Sequence, residues 1–516
     1  SDDCELAQIP GLDKRYLRAG YVNDPHPRAS RDLSRNLAWL PRIVFDLEDD
    51  PSVILTKIIA TVGPACSDTK PIMRMIEEGA RVFRINFSHG TLETFEQAHH
   101  AVMQASEQTG VLVGVMGDIS GPKLRIGQVE DAGIELSAGD LIEFRKEPVN
   151  PESDRAGHVV LGCSPASVLR DVKPGQRLLI DDGAVRTLVI DKTSHHDYPG
   201  LICRVRVGGH ILSRKGINLP DSDLQLPSMS NRDRQCVDWA IERGLDFLAL
   251  SFVRRVDDVR QLKAYLSGKQ GKRQLGIPVI AKIEQPKALE DLEAIIDAAD
   301  GVMVARGDLG VEMDLAQVPI AQKRIIRLAH DYGKPVIVAT QMLQSMIQND
   351  SPTRAEVSDV ANAIFDGADA VMLSGETAVG VAPPRAVRMM ARIAQAAQEH
   401  LTEFSNLTSG RWGDAPRKLQ KNRFRTAALA HGVAVIVRDL GAKLVATWSQ
   451  RGGGARYLSK NRLVVPIIAA SSDPAALRQM TLMFAVVPVL MRLPTNEQAL
   501  LDDLDRLILE RNLAQP

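Results

Sequence analysis

The chain has 516 residues, a formal net charge of −1, 44% apolar residues and 25% charged residues. That length accommodates about three domains with large cores, and the near-neutral balance gives neither nucleic acid nor an anionic membrane an electrostatic footing. No apolar run is long enough to cross a bilayer; the five cysteines are scattered without a CxxC pair, which argues against a disulfide framework or a zinc site and fits a reducing, cytoplasmic setting.

Residues 1–53 read as an N-terminal arm. Its mixed charges and prolines are unlike a signal peptide, and it starts on Ser1 rather than Met, as a processed or trimmed chain would. From residue 54 onward, short β-branched runs recur, each followed by a helical pattern. They are KIIATVG (57–63), VFRINFS (82–88), GVMGDIS (114–120), FLALSFV (247–253), PVIAKIE (278–284), GVMVARG (301–307), PVIVATQ (335–341) and AVMLSGE (370–376). Eight β/α units predict a closed (β/α)₈ TIM barrel. A doubly wound sheet is the alternative, weakened because no GxGxxG follows any of these runs.

The third and fourth runs are far apart. Residues 129–217 read as short β segments with Gly/Asp turns, which predicts a small β-barrel lid domain inserted in a barrel loop. The barrel thus spans 54–128 and 218–402. After a loop-like NLTSGRWGDAPRK, residues 403–516 read as a C-terminal α/β domain: a helix, then KLVATW, a Gly cluster, VVPIIAA, a helix and FAVVPVL.

The C-terminal ends of the eight runs carry Arg84, Asn86, Ser88, Asp118, Ser251, Lys282, Glu284, Arg306, Asp308, Thr340, Ser374 and Glu376. In a barrel these ends converge on the face that holds active sites. Lys282 and Glu284 lie two apart and share a side of their strand. Charges inside runs as apolar as AKIE and FRINFS are costly without partners or a purpose. Carboxylates from adjacent strands suit Mg²⁺ or Mn²⁺, which take few protein oxygens. Lys282 and Arg84 beside them point to an anionic, phosphorylated substrate. ARGDLG (305–310) offers backbone amides to a carboxylate, although an ordinary Gly turn reads the same way.

RINFSHG (84–90), GDISGPKLR (117–125), RKGINLP (214–220), AKIE (281–284), MVARGDLGVE (303–312), ATQMLQSM (339–346) and PTRAEVSDVANAIFDGADAVMLSGETAVG (352–380) together resemble the pyruvate kinase family, in order, over roughly residues 54–495. The resemblance implies phosphoryl transfer from phosphoenolpyruvate to ADP. Glu284 and Asp308 would hold the divalent cation, and Lys282 and Arg84 the transferring phosphate. Thr340 with the amides of Gly307 and Asp308 would hold the carboxylate. Thr340 and Ser374 would border the protonation route. Pro64, Asn86, His89, Arg125, Asp181 and Lys215 match nucleotide-side positions.

Many relatives place K⁺ among residues matching Asn86, Ser88, Asp118 and the carbonyl of Ile119, and carry Glu where this chain has Lys123; the lysine implies independence from K⁺. The C-terminal domain implies regulation by a phosphorylated effector at a loop carrying Thr447, Ser449, Arg451, Gly452 and Gly453. The resemblance also implies a homo-oligomer, usually a tetramer; past the position of ERNLAQP the family normally continues into two more strands that help subunits meet. A barrel lyase or aldolase sharing the carboxylate metal site, and a catalytically silent scaffold, remain the alternatives.

Overall fold

A computed structural model describes residues 54–147, 158–194, 198–224, 226–269, 275–404, 415–419 and 421–510. The expected N-terminal arm and most of the NLTSGRWGDAPRK loop lie outside the described residues. Eight parallel strands close the expected barrel. They are β1 (Lys57–Thr61), β2 (Ala80–Asn86), β3 (Gly114–Ile119), β4 (Phe247–Leu250), β5 (Val279–Ile283), β6 (Gly301–Ala305), β7 (Val336–Ala339) and β8 (Ala370–Leu373), with β8 pairing back onto β1. The β-branched runs become strands because both faces of a barrel strand are covered, so a continuous apolar run is stable there. Every residue of β1, β3, β5 and β6 is buried, including Asp118 and Lys282.

Two layers of core result. One packs helices on the outside of the barrel; the other fills its interior with Ile59, Val82, Met116, Ala249, Ile280, Met303, Ile337 and Met372. Leu482, far along the chain, completes that inner layer.

Between β3 and β4 the insert folds into a seven-stranded sheet running in space from Ile217–Asn218 through Arg177–Ile180, Val185–Thr193, Gly200–Val207, Leu141–Lys146 and Val159–Ser164 to Arg125–Ile126. A bridge between Arg125 and Gly216 joins its two edges. Its core is its own, built on Phe144, Ile142, Ile180, Val185, Val189 and Leu201. The C-terminal region carries a helix (Lys421–Leu440) and three parallel strands, β9 (Val445–Trp448), β10 (Ile467–Ser471) and β11 (Val486–Leu490). Among the described residues no helix is long and apolar enough to cross a membrane.

Candidate active site

Period two builds the site. Ile59, Val82, Met116, Ala249, Ile280 and Met372 line the barrel interior. Two residues further on stand Thr61, Arg84, Asp118, Ser251, Lys282 and Ser374. The strand repeat sends each to the same inner side, one layer higher at the mouth.

There Lys282 is the hub. Its Nζ lies 2.8 Å from Glu284 Oε1 and 3.1 Å from Asp118 Oδ1, and donates to Ser251 Oγ at 2.7 Å. Arg84 Nε donates to the other Asp118 oxygen at 2.6 Å, and its guanidinium reaches Thr61 Oγ1 at 3.2 Å. Glu284 Oε2 accepts the Phe252 amide at 2.6 Å. Burial opposes the charge on Lys282, but Asp118 and Glu284 outweigh it and hold the ammonium above its ordinary pKa. Asp118 is the mirror case: burial raises it, and Lys282 with Arg84 bring it below the usual carboxylate range.

Asp308 differs. Among the described residues nothing donates a hydrogen bond to its carboxylate. Burial and then the charge of Glu284 push it up to about 6, against Lys282 and Lys123. It sits in the first turn of the helix Arg306–Glu312 that follows β6. Just before it, the Gly307 amide donates to Thr340 Oγ1 at 2.6 Å. A Cβ on Gly307 would stand 3.3 Å from that hydroxyl, so glycine permits the approach. Thr340 and Gln341 have φ of +71° and +55°, a backbone that a β-branched residue rarely adopts. Arg306 holds it in place, donating to the Thr340 carbonyl at 3.0 Å and to Asp359 at 2.7 Å. The amide of Ser374 is capped by the buried carboxylate of Glu376 at 2.7 Å, and Glu376 also caps Leu343 at 3.0 Å.

Above this layer lies a narrow cleft of about 40 Å³ whose lining includes Lys123, Asp182, Asn218, Gln285, Asp308 and Glu312. The barrel supplies one wall and the insert the other. Asp181 and Lys215, both from the insert, are paired at 3.0 Å, and the Arg125 guanidinium donates to the Arg214 carbonyl at 2.9 Å. Burial pushes the Glu312 carboxyl up to about 7, against hydrogen bonds from Asn218 and Gln285.

The chain is similar to known proteins along most of its length. The family model described as "Pyruvate kinase, barrel domain" matches residues 54–387, and "Pyruvate kinase, alpha/beta domain" matches 427–516. The chain belongs to the pyruvate kinase family. The enzyme is therefore a phosphotransferase. It is 37% identical over 454 residues to the pyruvate kinase of Corynebacterium efficiens, covering 88% of this chain and 90% of that one. To the pyruvate kinase of Thermotoga maritima it is 40% identical over 436 residues, covering 84% and 88%. A crystal structure of a pyruvate kinase from Cryptosporidium parvum superposes with a TM-score of 0.79 at 32% identity, covering 92% of this chain and 94% of that one.

The expected site residues divide into groups in the enzyme. Arg84, Asp118, Lys282 and Glu284 form one contact network; Gly307 and Thr340 form a second; Asp181 and Lys215 a third. His89 and Pro64 are exposed at the rim, and desolvation followed by the charges of Lys123, Arg125 and Arg84 pushes the His89 imidazole down. Asn86 accepts the Ser88 amide at 3.1 Å. Lys123 is exposed and makes no hydrogen bond to Asn86, Ser88 or Asp118 among the described residues; its charge bears on Asp308 and His89 instead.

At the C-terminal loop, Ser449 Oγ accepts the Ala455 amide at 3.1 Å, inside the helix Gly453–Lys460, with Gly452 at φ +74° before it and Arg451 exposed. A Cβ on Gly454 would lie 3.5 Å from Ser449 Oγ and 4.0 Å from Thr447 Oγ1, so both hydroxyls face that helix start.

Ser251 was visible in the sequence only as one polar strand end among twelve; its bonds to Lys282 and Asp118 need the fold. Glu312 was missed. Its signal is a spacing of four from Asp308, which stacks both carboxylates on one helix face.

Proposed function

We propose that the enzyme transfers the phosphoryl group of phosphoenolpyruvate to ADP, giving pyruvate and ATP. The observation that carries this reading is Lys282 held between Asp118 and Glu284 beside the unbonded carboxylate of Asp308. Two carboxylates with a side short of positive charge fit Mg²⁺ or Mn²⁺, which keep waters and take substrate oxygens; Glu284 and Asp308 would hold it. Such an ion, when bound, neutralises charge on the transferring phosphoryl group.

The chain's own groups do the rest. The amides of Gly307 and Asp308, with Thr340, receive the substrate carboxylate. Arg84 and Lys282 face the phosphoryl group in flight, and Lys282 stabilises the enolate oxygen left behind. Preorganised charge in a dry site acts where charge develops, without reorganising. Thr340 and Ser374 border the path by which a proton reaches the enolate carbon, and ketonisation then draws the transfer forward. Asn86, His89, Arg125, Lys215 and Asp181 serve the nucleotide phosphates, Pro64 lies against the base, and the insert closes as a lid.

Lys123 is exposed and brings its charge to bear on Asp308, and on that charge rests the reading of turnover without K⁺. Two cations 4 Å apart repel by about 4 kcal/mol at an effective dielectric of 20. The loop of Thr447, Ser449, Arg451, Gly452 and Gly453 is the place for a phosphorylated effector, and the enzyme works as a homo-oligomer.

A coupled assay for pyruvate from phosphoenolpyruvate, ADP and Mg²⁺ tests the reaction; no product from folded enzyme sinks it. The same assay with K⁺ replaced by tetramethylammonium at fixed ionic strength tests the cation. Turnover is expected to be unchanged, and strong activation by K⁺ would refute the role of Lys123.

A further inference from the structure

We propose that Glu312 is the pivot post of the inserted domain, a positioning residue that fixes, through Asn218, where the nucleotide-facing residues of the insert stand over the barrel. The inference rests on the reading of the cleft as the site where nucleotide phosphates meet Asp181 and Lys215.

Glu312 is 2% exposed and ends the same helix that carries Asp308 in its first turn. Its Oε1 accepts two amide hydrogen bonds from two different bodies. Asn218 Nδ2, from the insert, donates at 2.9 Å; Gln285 Nε2, the residue after Glu284, donates at 3.3 Å. A carboxyl oxygen carries two lone pairs and satisfies both donors with one atom.

From Asn218 the path to the nucleotide side is short and made of backbone. Asn218 pairs with Leu179 and Ile217 with Ile180, and the Asp181 amide donates to the Gly216 carbonyl at 3.0 Å. Asp181 in turn holds Lys215 at 3.0 Å. Shifting Asn218 therefore shifts both charged residues. The turn that carries Asp181 also rests on the same helix: a Cβ on Gly183 would lie 3.5 Å from Val311 Cγ1.

The position of Asn218 makes it a hinge contact. The chain enters the insert at Leu124–Ile126 and leaves it at Lys215–Ile217, and these crossings are tied together by Ile126 N–H to Lys215 O at 2.9 Å and Ile217 N–H to Leu124 O at 3.0 Å. Asn218 ends the edge strand of the insert right beside the second crossing. Rotation of the insert about the tied crossings must turn on the Asn218–Glu312 bond or break it.

The test uses full-length enzyme with three variants: Glu312→Ala, Asn218→Asp, and Asn218→Asp combined with Glu312→Gln. The second sets two carboxyls against each other and is assayed at pH 9, well above the value of about 7 to which burial raises Glu312, so that a shared proton does not stand in for the lost donor. The third reverses the pair, leaving an amide donor on the helix and an acceptor on the insert, with the new amide oxygen free for Gln285. Each single variant is expected to raise KM for ADP about tenfold or more while KM for phosphoenolpyruvate stays within about twofold. The reversed pair should recover most of the ADP affinity. An unchanged KM for ADP in folded Asn218→Asp overturns the proposal, as does a reversed pair no better than the single variants. If Glu312→Ala fails to fold, the other two variants decide. Wild-type enzyme in the same assay separates the two readings: silence there sinks the reaction, whereas wild-type turnover with indifferent variants sinks only the pivot.

Discussion

At the floor of the barrel Asp246, Asp300 and Asp369 each stand one residue before a strand, β4, β6 and β8. Each caps an amide at the start of the neighbouring strand: Val115 of β3 at 2.9 Å, Val279 of β5 at 2.9 Å and Val336 of β7 at 2.8 Å. Each also has a cation: Arg478 at 2.8 Å, Lys263 at 2.8 Å, and for Asp369 both Lys460 and, at 3.6 Å, Arg462. The mouth has buried carboxylates too, but among the described residues Asp308 there has no donor. Charge buried in a barrel is thus no mark of function by itself. What sets the mouth apart is one group: the floor carboxylates, like Asp118 and Glu284 at the mouth, have a cation and a further donor within the fold, whereas among the described residues Asp308 is left for something that arrives.

The largest effect should come from the mouth. Lys282→Ala is expected to lower kcat by about a thousandfold or more, since each ~1.4 kcal/mol of barrier is tenfold. Pyruvate formation and circular dichroism, measured together, would show a folded but nearly inactive enzyme; near-normal turnover removes Lys282 from the chemistry.

Asp369→Asn should do the reverse. It strands Lys460 and Arg462 in the interior, and breaking a buried pair costs about 3–5 kcal/mol. Urea midpoints should fall steeply while kcat of the folded fraction stays near normal. A large loss of kcat with unchanged stability would place Asp369 among the functional residues and collapse the distinction.

The third effect is smaller and lies at the floor. His330 bonds the Lys460 carbonyl at 2.7 Å, and burial, then the charges of Lys460 and Arg462, push its pKa down from 6.5 to about 4. Between those values the unfolded chain holds a proton that the folded one does not. The contribution of this group to stability should therefore be level above pH 6.5 and fall as pH drops toward 4, by up to ~1.4 kcal/mol per unit. His330→Gln should flatten that slope in urea titrations at pH 7, 6 and 5; an identical slope would remove His330 as its source.

The mouth was far more legible in the sequence than the floor. AKIE, RINFS and GDIS put charges where an apolar run should continue, and period two assigns those charges to one side. The floor aspartates were just as regular, in GLDFLAL, AADGVMV and GADAVML, yet they read as ordinary loop polarity. Their meaning is a backbone amide on a neighbouring strand and a cation far along the chain, and neither distance is written in local spacing. Lys460 and Arg462 are the same case: they lie at the end of a helix and just beyond it, and the fold buries both. Asn218 and Glu312 meet because an insert returns to the barrel beside a particular helix, a relation that no motif encodes.

The Arg125–Gly216 bridge has a consequence for how the molecule can be cut. It brings the two crossings of the insert side by side, so the insert joins the barrel through a narrow neck. Exchanging the roughly 90 residues beyond the neck for a four-residue turn shortens the loop enough to lower its closure entropy by about 3 kcal/mol. The two ends of the insert thus lie one strand spacing apart. Other β modules whose ends lie one strand spacing apart, about 4.8 Å, are candidates to be spliced onto the same barrel.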